Sequence, residues 1–281
     1  MAIVGSSVVV GKLIVATVPV MLVAALRLGL ASTVLVPLVL AREGGLPAVE
    51  RRDVIVLVLQ AFMGMFVFNA LLLSGLRFTT AAEGGIVTAT TPAVAAILSV
   101  VFLGERVDMR GALGIALAVA GILAVNALSS APMGARGPAP LVGNVLVFGA
   151  VVGEASYIVC GKIASRRVPP LIVATALSGL GFLMFLPFAL WQSARFDFAL
   201  LGTREWLAIV YYAVAGTVIA AVLWSRGLIH VPASTAGAFS GVLPISAVAL
   251  SYVVLGERFA WSHVLGAACV IAGILLLARP R

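Results

Sequence analysis

Charged residues in this chain are few and clustered, and long, almost wholly apolar stretches run between the clusters. Cutting at charges and at Gly/Pro clusters leaves ten segments: 1–18, 20–41, 54–75, 81–103, 109–128, 141–163, 170–190, 205–226, 232–254 and 260–278. Each is near the length of about twenty residues that an α-helix needs to cross a bilayer. None shows the sustained two-residue alternation of membrane-barrel strands. In lipid every backbone N–H and C=O must find a partner inside the protein, so segments of this kind are predicted to be helices. The predicted fold class is all-α, a polytopic membrane protein with ten transmembrane helices.

Composition agrees. The 281 residues are 63% hydrophobic and 10% charged, with a mean hydropathy of +1.22. A soluble domain is about half apolar and about one quarter charged, so too little polar surface remains here to cover a water-soluble globule. The first segment has no basic residues ahead of it and no small-x-small cleavage site. It is read as a mature helix that starts late, with a few preceding residues expected to be missing. The net charge of +8 is scattered over loops. Without a basic stripe interleaved with aromatics it does not indicate nucleic acid. With the N-terminus inside, eleven Lys and Arg fall in cytoplasmic loops, Arg42 and Arg106 among them, and six in outside loops. The positive-inside rule then places both termini in the cytoplasm and the protein in the cytoplasmic membrane. Cys160 and Cys269 each stand alone in an apolar segment, as small core residues do. No metal and no cofactor is expected.

The tetrapeptide Leu-Gly-Glu-Arg occurs at 103–106 and again at 255–258. Its flanks repeat as well. Pro92 and Pro244, Gly64 and Gly216, Gly75 and Gly227, Gly114 and Gly266, and the Gly-Ile-Leu runs at 121 and 273 all keep an offset of 152. Earlier in the chain the offset is 150: Gly11-Lys12 with Gly161-Lys162, Pro19 with Pro169, Pro37 with Pro187. Spaced glycines and prolines constrain backbone, so the chain reads as two homologous halves, 1–130 and 141–281, with a two-residue length change near 42–53. Five spans per half is odd, so the second half enters from the opposite side. Two inverted five-helix repeats of this kind are a hallmark of secondary transporters. Gly104 and Gly256 fall where spans four and nine end, the place for a left-handed C′ glycine. Glu105 and Glu257 are then expected beside the N-terminus of the next helix, where its dipole favours an anion; a gate salt bridge is the alternative.

Two five-helix halves, each ending in Pro…Leu-Gly-Glu-Arg…Gly…Gly-Ile-Leu, resemble the EamA-type families of the drug/metabolite transporter superfamily over essentially the whole chain. The stretch VAALRLGLAS at 23–32 resembles the family's Arg-bearing second helix, and GSSVVVGK at 5–12 its first. Val4 stands where a Trp often precedes that Gly-Ser pair. The resemblance implies alternating-access export of small metabolites, amino acids foremost, with aromatic amino acids among the cargoes. It also implies a central cavity built from helices three, four, eight and nine with one and six beside them. This implicates Asn69, Thr88, Thr91, Tyr157, Tyr212 and Ser240, and Phe239 would complete an aromatic lining.

The residues suggest the same region. Pro92 and Pro244 lie mid-span, where a proline frees the carbonyl four residues earlier and kinks the helix. Those carbonyls belong to Thr88 and Ser240, whose hydroxyls either face a watery cavity or bond back to their own helix. Glu154 and Arg27 are charges deep in apolar spans, and such groups face the bundle interior. Glu154 could hold a substrate ammonium or carry a coupling proton; the plainer reading pairs it with Arg27 or Lys12. Arg27 itself reads as structural. Gly149-x-x-x-Gly153 and Gly237-x-x-x-Gly241 are close-packing patterns.

Within transport, efflux of cationic drugs or other metabolites is the alternative. Arg27 is the lone deep cation, too little for the phosphates of a nucleotide sugar. A membrane-embedded enzyme would need clustered His, Asp or Cys, and His230 and His263 fall in separate loops. Gly5…Gly11-Lys12 has one residue too many for a phosphate loop, and Leu13 stands where Ser or Thr would bind Mg²⁺. The expected partners are a small-molecule substrate, the lipid bilayer and protons.

Overall fold

The computed structural model describes residues 3–4, 6, 10, 14, 17–43, 50–75, 78, 87–88, 90–127, 139–242, 246 and 261–278. Every regular element among them is helical. In chain order these are α1 (Val20–Glu43), α2 (Arg51–Ala61), a π-helical segment π1 (Phe62–Val67) and α3 (Phe68–Gly75). α4 (Thr91–Leu103), α5 (Met109–Ala127), α6 (Pro140–Ala164) and α7 (Pro170–Ser193) follow. Next come α8 (Thr203–Tyr211), a second π segment π2 (Tyr212–Ile219) and α9 (Ala220–His230), then α10 (Ala233–Phe239) and α11 (Trp261–Ala278).

Among the described residues, five helical stretches are long and apolar enough to cross a membrane: 20–42, 51–72, 141–164, 170–193 and 203–230. Thr91–Leu103 and Met109–Gly121 are shorter apolar helices. Val101, Phe102, Leu183 and Leu207 are each more than 60% exposed. Such a surface suits lipid, where apolar side chains need not be hidden. The chain is a multi-pass membrane protein.

Proline marks several helix starts. Pro140 and Pro170 open α6 and α7, where the missing N–H belongs to the unpaired first turn in any case. Pro92 does the same at the start of α4. Val87 and Thr88 are helical and Thr90 is in a turn, so the helical run across this span is interrupted just before Pro92. The Thr88 carbonyl, expected to be free, accepts the Thr91 hydroxyl at 2.8 Å. Pro244 lies outside the described residues. Pro37 and Pro187 do sit inside helices, α1 and α7.

The two π segments occupy equivalent places in the sequence repeat. Gly64 lies in π1 and Gly216, 152 residues on, in π2. Each widened turn is steadied by a side chain on a backbone carbonyl: Asn69 Nδ2 donates to Met65 O at 2.6 Å and Thr217 Oγ1 to Tyr212 O at 3.2 Å. Wide turns of this type recur at functional sites.

Packing is by pairs. α1 lies along α7, α5 along α11, and α6 runs between α2–α3 on one side and α4 on the other, with α10 against α4. Small residues permit these approaches. A Cβ on Gly153 would stand 2.8 Å from the Met63 carbonyl oxygen, and one on Gly237 2.7 Å from Ala95 Cβ. Both small-x-x-x-small patterns therefore mark close helix contacts.

Gly104 ends α4 in the left-handed region at φ 65°, as its sequence position predicts, and the Gly104 and Glu105 amides close the turn on Val100 and Ser99 carbonyls at 3.2 and 3.3 Å. Glu105 departs from expectation. The start of α5 is served by Asp108, whose Oδ1 accepts the Gly111 amide at 2.8 Å. Glu105 instead reaches the first turn of α10, in the other half of the chain. The reversal at Gly104 turns it away from its own helix. Gly256, Glu257 and Arg258 lie outside the described residues.

Candidate functional site

Glu154 sits in the middle of α6, flanked by the buried residues Gly153 and Ala155, and it keeps partial accessibility where its neighbours have none. Thr91, at the head of α4, is 3% exposed and places its hydroxyl 3.1 Å from Glu154 Oε2. The same hydroxyl lies 2.8 Å from Thr88 O. A hydroxyl has a single hydrogen, so it serves one oxygen fully at a time. When Glu154 is protonated, its own O–H donates to Thr91 Oγ1 and Thr91 donates to Thr88. When Glu154 is ionised, Thr91 must turn its hydrogen to the carboxylate and release the Thr88 carbonyl. One hydroxyl hydrogen thus lies between the α6 carboxyl and the turn that precedes α4.

Glu154 forms no ion pair among the described residues. The expected pairing with Arg27 does not occur. The Arg27 guanidinium lies 4.5 Å from the centroid of the Tyr212 ring, and its buried Nε has no hydrogen-bond partner. Lys12 is outside the described residues. Cys160 and Cys269 are free thiols, and no group of three or more His, Cys, Asp or Glu able to hold a metal occurs among the described residues.

The other candidate residues divide between places. Tyr157 packs on π1, where a Cβ on Gly64 would collide with its ring. It borders the apolar cluster of Val94, Ala95, Val151 and Ala155 that surrounds the Glu154–Thr91 pair. Tyr212 belongs instead to the cluster of Ile14, Leu22, Leu28 and Phe185. Phe239 packs with Val270 and Ile274. The three aromatic residues thus pack against different apolar clusters among the described residues. Ser240 bonds back to Gly237 O at 2.6 Å, and Asn69 to π1, as residues that relax a helix do. On a further contact, Ser6 Oγ and the Tyr211 hydroxyl are 2.7 Å apart.

A cavity of about 370 Å³ lies between α9 and α10, lined by Leu223, Trp224, Leu228, Ala236 and Phe239 and bordered by Ile3. Trp224 holds its indole Nε1 buried with no acceptor, and its ring borders the same apolar cluster as Tyr157. Sequence reasoning missed Trp224. Its signal was available: a Trp inside an apolar span carries an N–H that must be satisfied.

The EamA-like transporter family matches this chain twice, over residues 1–127 and 141–279. The chain belongs to the EamA-like transporter family. Among relatives of this transporter is the uncharacterized transporter YetK of Bacillus subtilis, 45% identical over 276 residues, which cover 98% of this chain and 83% of YetK. The uncharacterized transporter YyaM of the same organism is 27% identical, over 90% and 82% of the two chains. A probable terminal-alkyne amino-acid exporter of Streptantibioticus cattleyicolor is 40% identical over 57 residues, 20% of this chain and 19% of that one. A solved crystal structure aligns with a TM-score of 0.78 at 22% identity, over 99% of this chain and 93% of the other, and so shares the fold.

Proposed function

We propose that this transporter exports small amino acids or similar ammonium-bearing metabolites by alternating access, through a cavity between two inverted five-helix repeats in the cytoplasmic membrane, with both termini inside. One observation carries the reading: Glu154 is a carboxyl group at mid-span with a hydroxyl from the other half as its partner and no counter-charge among the described residues. An isolated anion at that depth is expensive, so it takes up a cation: a proton when the site is empty, a substrate ammonium when it is filled. Exchange between the two supplies the coupling.

Thr91 carries the change to α4. Ionised Glu154 draws the Thr91 hydrogen away from Thr88 O, loosening the turn before Pro92, where the helix has no backbone N–H to compensate. Phe239 offers the cargo's side chain an apolar face at the α9–α10 cavity. The short similarity to an amino-acid exporter supports the same cargo class.

The test is flux in liposomes containing purified protein, with a panel of labelled amino acids, with and without a pH gradient. Saturable movement of at least one amino acid, accelerated by the gradient, is expected. If none moves under either condition, the amino-acid reading fails.

A further inference from the structure

The chain turns sharply between α9 and α10, and two charged side chains grip this corner from opposite directions. Lys162, on the last turn of α6, is 9% exposed; its Nζ donates to Leu228 O at 2.5 Å and Ile229 O at 3.2 Å. These are among the last carbonyls of α9, which carry the negative end of its dipole. Glu105, from the turn after α4, accepts from the Ala233 amide at 2.8 Å, the Ser234 amide at 3.2 Å and the Ser234 hydroxyl at 3.0 Å. These are the first donors of α10. A cation thus holds the end of one helix while an anion holds the start of the next, and the two side chains lie near enough for their charges to interact.

The grip crosses the boundary between the halves. Glu105 belongs to the first family match and the corner to the second. Behind the corner the packing is tight: a Cβ on Gly161 would lie 2.8 Å from Gln60 Nε2 and 3.0 Å from Leu228 Cδ1. Ala233 and Ala236, just past the corner, are 0% and 1% exposed. The corner is thus held by two charged side chains over an apolar cluster in which Leu228, Ala233 and Ala236 pack with Ala95 and Ile158. Apolar packing deep in the bundle resists separation in pieces, whereas three hydrogen bonds on one carboxylate break together.

We infer that Glu105 and Lys162 form a latch on the α9–α10 corner, Glu105 tying it to the first half and Lys162 tying it to α6, that closes this face of the cavity, and that the transport cycle releases it. The inference rests on the transporter reading above. In sequence, Lys12 stands 150 residues before Lys162 and Glu257 stands 152 after Glu105, so each half carries one residue of each kind at the matching place. Those two lie outside the described residues.

The experiment uses Ala236→Cys as reporter in a full-length Cys160→Ser/Cys269→Ser protein held in lipid nanodiscs, with a bulky hydrophilic maleimide as probe. Labelling is slow in the parent. Glu105→Ala, which loses all three bonds, raises the rate at least tenfold. Glu105→Gln, which keeps an acceptor and loses the charge, gives an intermediate rise. Lys162→Met raises the rate at least threefold. Asp108→Ala, which uncaps only α5, leaves it within twofold. If Glu105→Ala does not fold, Glu105→Gln and Lys162→Met carry the test, and parent-like labelling in both overturns the latch. Flux measured on the same preparations separates the two readings. Raised labelling without flux of any amino acid keeps the latch and removes the cargo assignment. Flux with unchanged labelling keeps the transporter and removes the latch.

Discussion

Glu154 and Arg27 are both charges inside helices that are otherwise apolar, and the bundle treats them differently. Glu154 meets a hydroxyl from α4 and, among the described residues, no cation. Arg27 lies over the face of Tyr212, whose ring supplies negative charge density without being an ion. The arginine is thus answered by a fixed, sequence-encoded group, and the carboxyl by one that changes with its own protonation. Arg27 still leaves one buried N–H unmatched, but a carboxyl met only by a hydroxyl can exchange a proton for an ammonium, and this marks Glu154 as the candidate working group.

Four substitutions would break or sharpen that contrast. Glu154→Gln has the largest expected effect. The amide keeps shape and a hydrogen bond to Thr91 but holds no ammonium and carries no proton. Loss of a charge-assisted contact of about 1.5–3 kcal/mol corresponds to a flux reduction of roughly tenfold or more. Gradient dependence should vanish with it in the liposome assay, and a retained gradient dependence would remove Glu154 as the coupling group.

Thr91→Val comes next. It preserves volume and removes the hydroxyl that joins Glu154 to Thr88, a neutral-type bond worth about 0.5–1.5 kcal/mol, hence a roughly two- to tenfold loss. The loss should appear in the pH dependence of flux, since the hydroxyl responds to the state of the carboxyl. A uniform loss at every pH would make Thr91 a packing residue.

Arg27→Met should leave flux within about threefold. Two terms oppose each other in stability: the stacked cation, worth about 2 kcal/mol when desolvated, and relief of the unpartnered Nε, of about 1–3 kcal/mol. Denaturant unfolding in micelles should therefore shift little in either direction. A flux loss as deep as that of Glu154→Gln would show that the two charges act together after all. Tyr212→Phe is the smallest. The ring that meets Arg27 survives, so unfolding should stay within about 0.5 kcal/mol of the parent, the range of substitutions that break no named contact. A larger change would show that the hydroxyl, not the ring, supports Arg27.

The site was partly legible in advance. Glu154 stood out because a carboxylate deep in an apolar span needs a reason, and Thr91 because the family resemblance implicates it in the central cavity. Their contact was not legible: residues 63 apart in sequence are brought together only by the packing of α4 on α6. The aromatic residues show the same limit in reverse. Tyr157, Tyr212 and Phe239 were grouped by residue type and by the family's helix arrangement, but their directions around three helices send them into three clusters. Trp224 went unnoticed because an apolar ring in an apolar segment raises no alarm until its N–H is seen to lack an acceptor.

What the sequence determined by itself was the solvent and the repeat. Lipid surroundings follow from composition, helices follow from lipid because no other partner exists for the backbone, and spaced glycines and prolines reveal duplication since each demands a particular backbone. Gly104 at a left-handed helix end belongs to the same class of local demand. What only the tertiary structure decided were the long-range polar contacts. Glu105 was assigned to its nearest helix in sequence, yet it caps one 128 residues away. Lys162 likewise finds carbonyls 66 and 67 positions on. A helix end offers the same unpaired donors or acceptors wherever it lies, so local chemistry tells which kind of partner a charge will take. Which helix end comes within reach is set by how the bundle packs.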